Sequence, residues 1–152
     1  MGPESKSRAG MSVIVKTITR LVASFILLFG IYIVLYGHVT PGGGFAGGVI
    51  VACSLILMLL AFGKRFVLGL ISERAATLWD CVGALAFLLL AVAGYFGGTF
   101  FLNLFSKGQP FHLFSAGIIP LCNVAIGVKV GACLFGVFFA LAAFRLSQRK
   151  DI

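Results

Sequence analysis

The sequence predicts an all-α integral membrane protein with four transmembrane helices. Three observations carry that expectation. Of 152 residues, 61% are hydrophobic and only 11% charged, where soluble domains carry about a quarter charged residues. The stretch from Leu21 to Gly63 contains no Asp, Glu, Lys or Arg. Crossing the hydrocarbon takes about 20 helical residues, and four apolar blocks of that length follow one another along the chain. So little polar surface cannot coat a water-soluble globule. Soluble enzyme, disordered tail and secreted disulfide scaffold are excluded.

Residues 1–12 form a polar N-terminal extension, of which Met1–Gly10 reads as flexible. The first span covers about 13–36. It is not a cleavable signal peptide alone, because no small-residue cleavage site follows and three spans remain. Lys16 and Arg20 are four apart, share a helix face and can snorkel to headgroups. The run His38-Val39-Thr40-Pro41-Gly42-Gly43-Gly44 breaks the apolar stretch, so a tight turn leads into a second span at 45–63. A loop at 64–76 precedes the third span, Thr77 to Phe100. Residues Phe101–Ser115 alternate Phe and Leu with polar groups, which suits either a segment lying in the interface or an ordinary connection. The fourth span covers 117–144, with Pro120 in its first turn, where a missing N–H is tolerated. Residues 145–152 form a basic tail, and 13–144 are a single membrane domain.

The net charge of +8 does not mark a nucleic-acid partner, because the basic residues flank the apolar blocks instead of forming a stripe among exposed aromatics. Ten of the twelve Lys and Arg fall on the side holding both termini and the 64–76 loop. The opposite side holds only Lys107, so the positive-inside rule predicts cytoplasmic N and C termini. Cys53, Cys81, Cys122 and Cys133 form no CxxC pair or Cys/His cluster and read as small packing residues. No metal and no cofactor is expected. There is no Ser/His/Asp arrangement and no carboxylate pair, so nothing points to a self-contained enzyme.

Five features carry candidate chemistry. Thr40-Pro-Gly-Gly-Gly-Phe-Ala-Gly-Gly48 lacks the GK[ST] ending of a phosphate loop. Its pairs Gly43/Gly47 and Gly44/Gly48 allow close helix approach, and the turn needs glycine backbone angles. The alternative is a set of exposed backbone groups lining a wet path at a helix end. Lys129 lies about ten residues into the fourth span, near the bilayer midplane, where a lysine seldom faces lipid. Cys122, Ala125, Lys129, Cys133 and Gly136 form one small-residue face; Leu121, Val124, Val128, Phe135 and Phe139 are expected largely opposite. Lys129 reads either as part of an ion or proton relay or as a structural charge paired with a neighbour's carboxylate.

Asp80 opens a similar face, Asp80-Gly83-Phe87-Ala91-Gly94-Gly98. A depth difference of about 10 Å argues against direct pairing with Lys129, and Asp80 is expected to be a charge at the start of the helix. Glu73 and Arg74 read as a solvated loop. His38 and His112, one in each outer connection, are candidates for proton entry or plain solvated residues. Asn123 can hydrogen-bond across helices, and Gly127 and Gly131 complete the packing glycines.

Two stretches, GHVTPGGGFAGGVIVA at 37–52 and LFSAGIIPLCNVAIGVKVG at 113–131, resemble the MnhB/MrpB family, a component of Mrp-type (Mnh-type) multisubunit Na⁺/H⁺ antiporters. The likeness runs over about 13–144. Pro41, Gly42, Gly43, Gly44, Phe45, Gly47, Gly48, Pro120, Asn123, Gly127 and Lys129 are the matching positions. The resemblance implies a small non-catalytic subunit in the cytoplasmic membrane of a prokaryote, with other membrane subunits as partners and Na⁺ and H⁺ as transported ions. Lys129, Asn123, Pro41, Phe45, His38 and His112 become ion-pathway candidates. The same module occurs in membrane-bound hydrogenases and related redox-driven complexes, which stays the alternative. A stand-alone four-helix channel is a third reading, weakened by the lack of an inverted repeat.

Overall fold

The computed structural model describes residues 11–39, 41–102 and 116–148. Lys107, His112, Thr40, the extension before Met11 and most of the 101–116 connection lie outside the described residues. Among those described, four helices are long and apolar enough to cross a membrane. They are α1 (Val13–Tyr36), α2 (Gly43–Phe62), α4 (Glu73–Ala93) and α5 (Ile119–Gln148), with a short α3 (Lys64–Leu70) and a 3₁₀ turn at Gly94–Gly97.

Local chemistry sets the helix starts. Ser12 caps α1 through a side-chain bond accepted from the Val15 N–H, and Ser72 caps α4 through Ala75 N–H; each satisfies one of the orphan donors of a first turn. Glu73 adds a negative charge where the dipole favours it. Gly42 and Gly43 have φ of 149° and 78°, a conformation closed to most side chains, and they turn the chain from α1 into α2.

The helices pack in the order α1, α2, α5, α4. The fourth span therefore lies between the second and third, and α5 has a different partner on each side. The α1–α2 crossing is close. A Cβ on Gly47 would lie 2.5 Å from Val34 Cγ2, and one on Gly30 would lie 2.9 Å from Val51 Cγ2. Ser54, buried, donates to the Ala23 carbonyl at 2.8 Å and fastens the same pair. The Arg20 guanidinium lies 5.4 Å from the centre of the Phe62 ring, where the start of α1 meets the end of α2.

Two expectations for the middle of the chain need correction. The 64–76 loop holds the helix α3, whose Val67 is only 1% exposed. The third span begins at Glu73, four residues early, because Ser72 caps it there and Glu73 suits its first turn. Glu73 is thus a helix residue, bound to Lys64 at 3.5 Å. Phe135 and Phe139 are expected on the side of the fourth span away from its small residues. They are buried in a cluster with Leu59, Val67 and Ala76, because α3 folds under α5 and covers them.

Candidate functional site

The two faces of α5 carry different chemistry. Toward α2 lie Asn123, Gly127 and Gly131, four apart and on one stripe. A Cβ on Gly44 would collide with the Asn123 carbonyl, and one on Gly48 would lie 2.7 Å from the Gly127 carbonyl oxygen. Gly131 is looser, with Gly48 O at 3.5 Å from its would-be Cβ. The Gly44 N–H, an orphan donor in the first turn of α2, donates to Asn123 Oδ1 at 3.3 Å. Since Gly42 has no side chain, the cap comes from another helix 79 residues on. The Asn123 Nδ2 is buried without a hydrogen-bond partner among the described residues.

Lys129 points about 200° away around the helix from Gly127, toward α4. Its Nζ donates to Asp80 Oδ1 at 2.7 Å, with side-chain exposures of 44% and 32%. The expected separation in depth is overturned. A Cβ on Gly83 would stand 2.8 Å from the Lys129 backbone nitrogen, so Gly83 and Lys129 share a level. Asp80 is three residues from Gly83, about 4.5 Å along the axis, within reach of a lysine side chain. The earlier start of α4 also puts Asp80 two turns inside it, not at its mouth. The carboxylate partner of Lys129 therefore belongs to this chain and not to a neighbour.

The α4–α5 seam has a groove on each side. One, near α3, includes Glu73, Thr77 and Asp80 on α4 and Cys133 and Gly136 on α5. The other is apolar and lined by Trp79, Val82, Leu121, Val124, Ala125 and Val128, among others. The small face of α4 is used throughout. Gly83 meets α5, Ala91 is buried, Phe87 rests on Phe101, and Gly94 admits the returning backbone of Phe101 and Leu102.

The remaining predicted residues are scattered. Pro41 is exposed and Phe45 is 65% exposed, facing away from the chain. His38 is half-buried in the turn after α1. The Gly43–Gly48 stretch and Lys129 are on opposite faces of α5 and do not border one space within this chain. Asp80 is the residue that sequence reasoning set aside. The one signal beside it was Gly83, a turn on, where α4 meets Ala125 and Lys129 of α5. The four cysteines are free, and among the described residues no group of His, Cys, Asp and Glu could hold a metal.

Residues 14–136 match the family described as "Domain related to MnhB subunit of Na+/H+ antiporter". The chain belongs to the MnhB family. It is 40% identical over 146 residues to an uncharacterized protein of Methanocaldococcus jannaschii, covering 91% of this chain and 53% of that one. It is 39% identical over 94 residues to the B-type component of the Na(+)/H(+) antiporter of Alkalihalophilus pseudofirmus, covering 61% of each. This MnhB chain thus spans between half and two thirds of these relatives' length. A chain in the structure of the membrane-bound sulfane sulfur reductase, an archaeal respiratory membrane complex, superposes with a TM-score of 0.73 at 34% identity, over 86% of this chain and 57% of that one. The MnhB match takes in both glycine-rich crossings and the Asp80–Lys129 pair.

Proposed function

We propose that this chain is a non-catalytic membrane subunit of a multisubunit Na⁺/H⁺ antiporter, with both termini cytoplasmic in a prokaryotic cell membrane. Family membership over residues 14–136 is the observation that carries it. The physical reading agrees: a half-exposed ion pair within the apolar span needs protein or water around it. In this reading the Asp80–Lys129 pair is the part of the chain that borders the ion route. Gly43, Gly44, Gly47, Gly48, Gly127, Gly131 and Asn123 hold the helices at the spacing that positions it. Pro41, Phe45 and His38 face partner subunits at the opposite end.

The test is extraction of the tagged chain from native membranes in mild detergent, mass spectrometry of what stays bound, and Na⁺-dependent proton movement in vesicles. Antiporter subunits and Na⁺-driven proton flux are expected; a lone small oligomer would defeat the proposal. A second reading, a membrane-arm subunit of a redox-driven complex, is favoured by the likeness to the sulfane sulfur reductase chain. Iron–sulfur or other redox subunits in the same particle would select it.

A further inference from the structure

The groove of about 330 Å³ beside the α4–α5 seam runs from α3 to Asp80. Its α4 wall presents Glu73, Thr77 and Asp80, spaced by four and three and so on one face. Along the axis they cover about 10 Å, from the helix start into the membrane. The α5 wall opposite sets the small residues Ala132, Cys133, Gly136 and Ala140 among Phe135, Val137 and Phe139, and a Cβ on Gly136 would meet nothing within 4 Å among the described residues. Toward α3 Glu73 is 61% exposed and bound to Lys64. Farther along α4 stands the Asp80 carboxylate, held by Lys129. Two half-exposed charges at that depth are costly against hydrocarbon, and a column of polar groups leads from them to the headgroup region.

We propose that this groove is a water-filled inlet through which small cations reach the Asp80–Lys129 pair from the α3 end. It deepens the function proposed above and rests on it for the word transport, though not for the hydration. Asp80 is the group the inlet exposes, Thr77 the polar step between the carboxylates, and Lys129 the charge that keeps Asp80 aimed into the groove. The alternative occupants, lipid or a helix of a partner subunit, give different results in the same experiment.

Cys133 is a native reporter of the inlet, because it lines the groove and is exposed. In the assembled complex, with Cys53, Cys81 and Cys122 replaced by Ser or Ala, a quaternary-ammonium methanethiosulfonate reagent is added to one membrane side at a time. Labelling of Cys133 from the α3 side alone is expected. Gly136→Leu, which has room for its side chain, should plug the groove: labelling and ion flux are lost while the complex assembles in normal amount. No labelling, labelling from the opposite side, or a Gly136→Leu complex with full flux overturns the inlet. Loss of assembly in Gly136→Leu also overturns it and assigns the groove to a partner helix. The antiporter proposal is scored separately by the proteins that co-purify: an antiporter particle with unreactive Cys133 refutes only the inlet. A reactive Cys133 in a particle without antiporter subunits refutes only the antiporter reading.

Discussion

The α1–α2–α5 half and the α4–α5 seam solve the same problem, holding apolar helices together in a lipid solvent, by opposite means. In the first half the backbones approach through Gly30, Gly44, Gly47, Gly48 and Gly127, and the hydrogen bonds between helices are neutral, Ser54 to Ala23 and Gly44 to Asn123. In the second, a single glycine, Gly83, brings α4 against α5, and a charged pair spans the seam with grooves on either side. Lipid tails are as apolar as leucine, so helix association there depends on close packing and hydrogen bonds, not on expelling water. The first half uses that rule fully and has no slack. The second keeps open volume beside a charge pair.

The largest effect should come from filling the tight half. Gly44→Ala drives a methyl into the Asn123 carbonyl, a backbone atom that cannot rotate aside. The amount of complex recovered from membranes should collapse, while Gly136→Ala, facing open space, should leave it unchanged. Equal recovery of the two variants would erase the contrast between the halves.

Next comes the pair. Lys129→Ala strands the Asp80 carboxylate and should abolish ion flux with a lesser loss of assembly. The double variant Asp80→Asn/Lys129→Gln should recover assembly without recovering flux, because removing both charges costs less than orphaning one. Flux measured in vesicles, beside complex yield, separates the two roles; a fully active Lys129→Ala would reduce the pair to packing.

Smaller effects belong to the neutral bonds. Asn123→Ala removes the cap on Gly44 and should cost about 1 kcal/mol, read as a lowered midpoint of thermal unfolding in detergent. Ser54→Ala should cost about 0.6 kcal/mol, the average of such bonds between membrane helices, and leave flux intact. A larger loss from Ser54→Ala than from Gly44→Ala would invert the ranking on which the comparison stands.

The spans were legible because an uncharged block of membrane length has few other readings, and α1 begins and ends where expected. The packing role of Gly44, Gly47 and Gly48 was legible from four-residue spacing. Which helix each glycine meets was not: Gly47 faces α1 while Gly44 and Gly48 face α5, and spacing along one helix does not name its neighbours. The Asp80–Lys129 pair was missed for the same reason. Depth was counted from a helix start at Thr77, whereas the register is set by Gly83 against Lys129, a contact 46 positions apart in the chain. Short α3 escaped because seven residues with two basic ones at their head carry no periodic signal; only its burial of Phe135 and Phe139 reveals it.

The cap on α2 has a consequence for how the chain is made. Gly44 leaves the ribosome well before Asn123, 79 residues later, and at about 5–20 residues per second the wait is roughly 4–16 s. During that interval the hairpin of α1 and α2 is inserted with the first turn of α2 still lacking its final acceptor and with one glycine face bare. In the finished arrangement α5 stands between α2 and α4, both of which precede it in the chain. Order along the chain and order in space therefore disagree, and the α2 face that receives α5 stays open until α5 has been made.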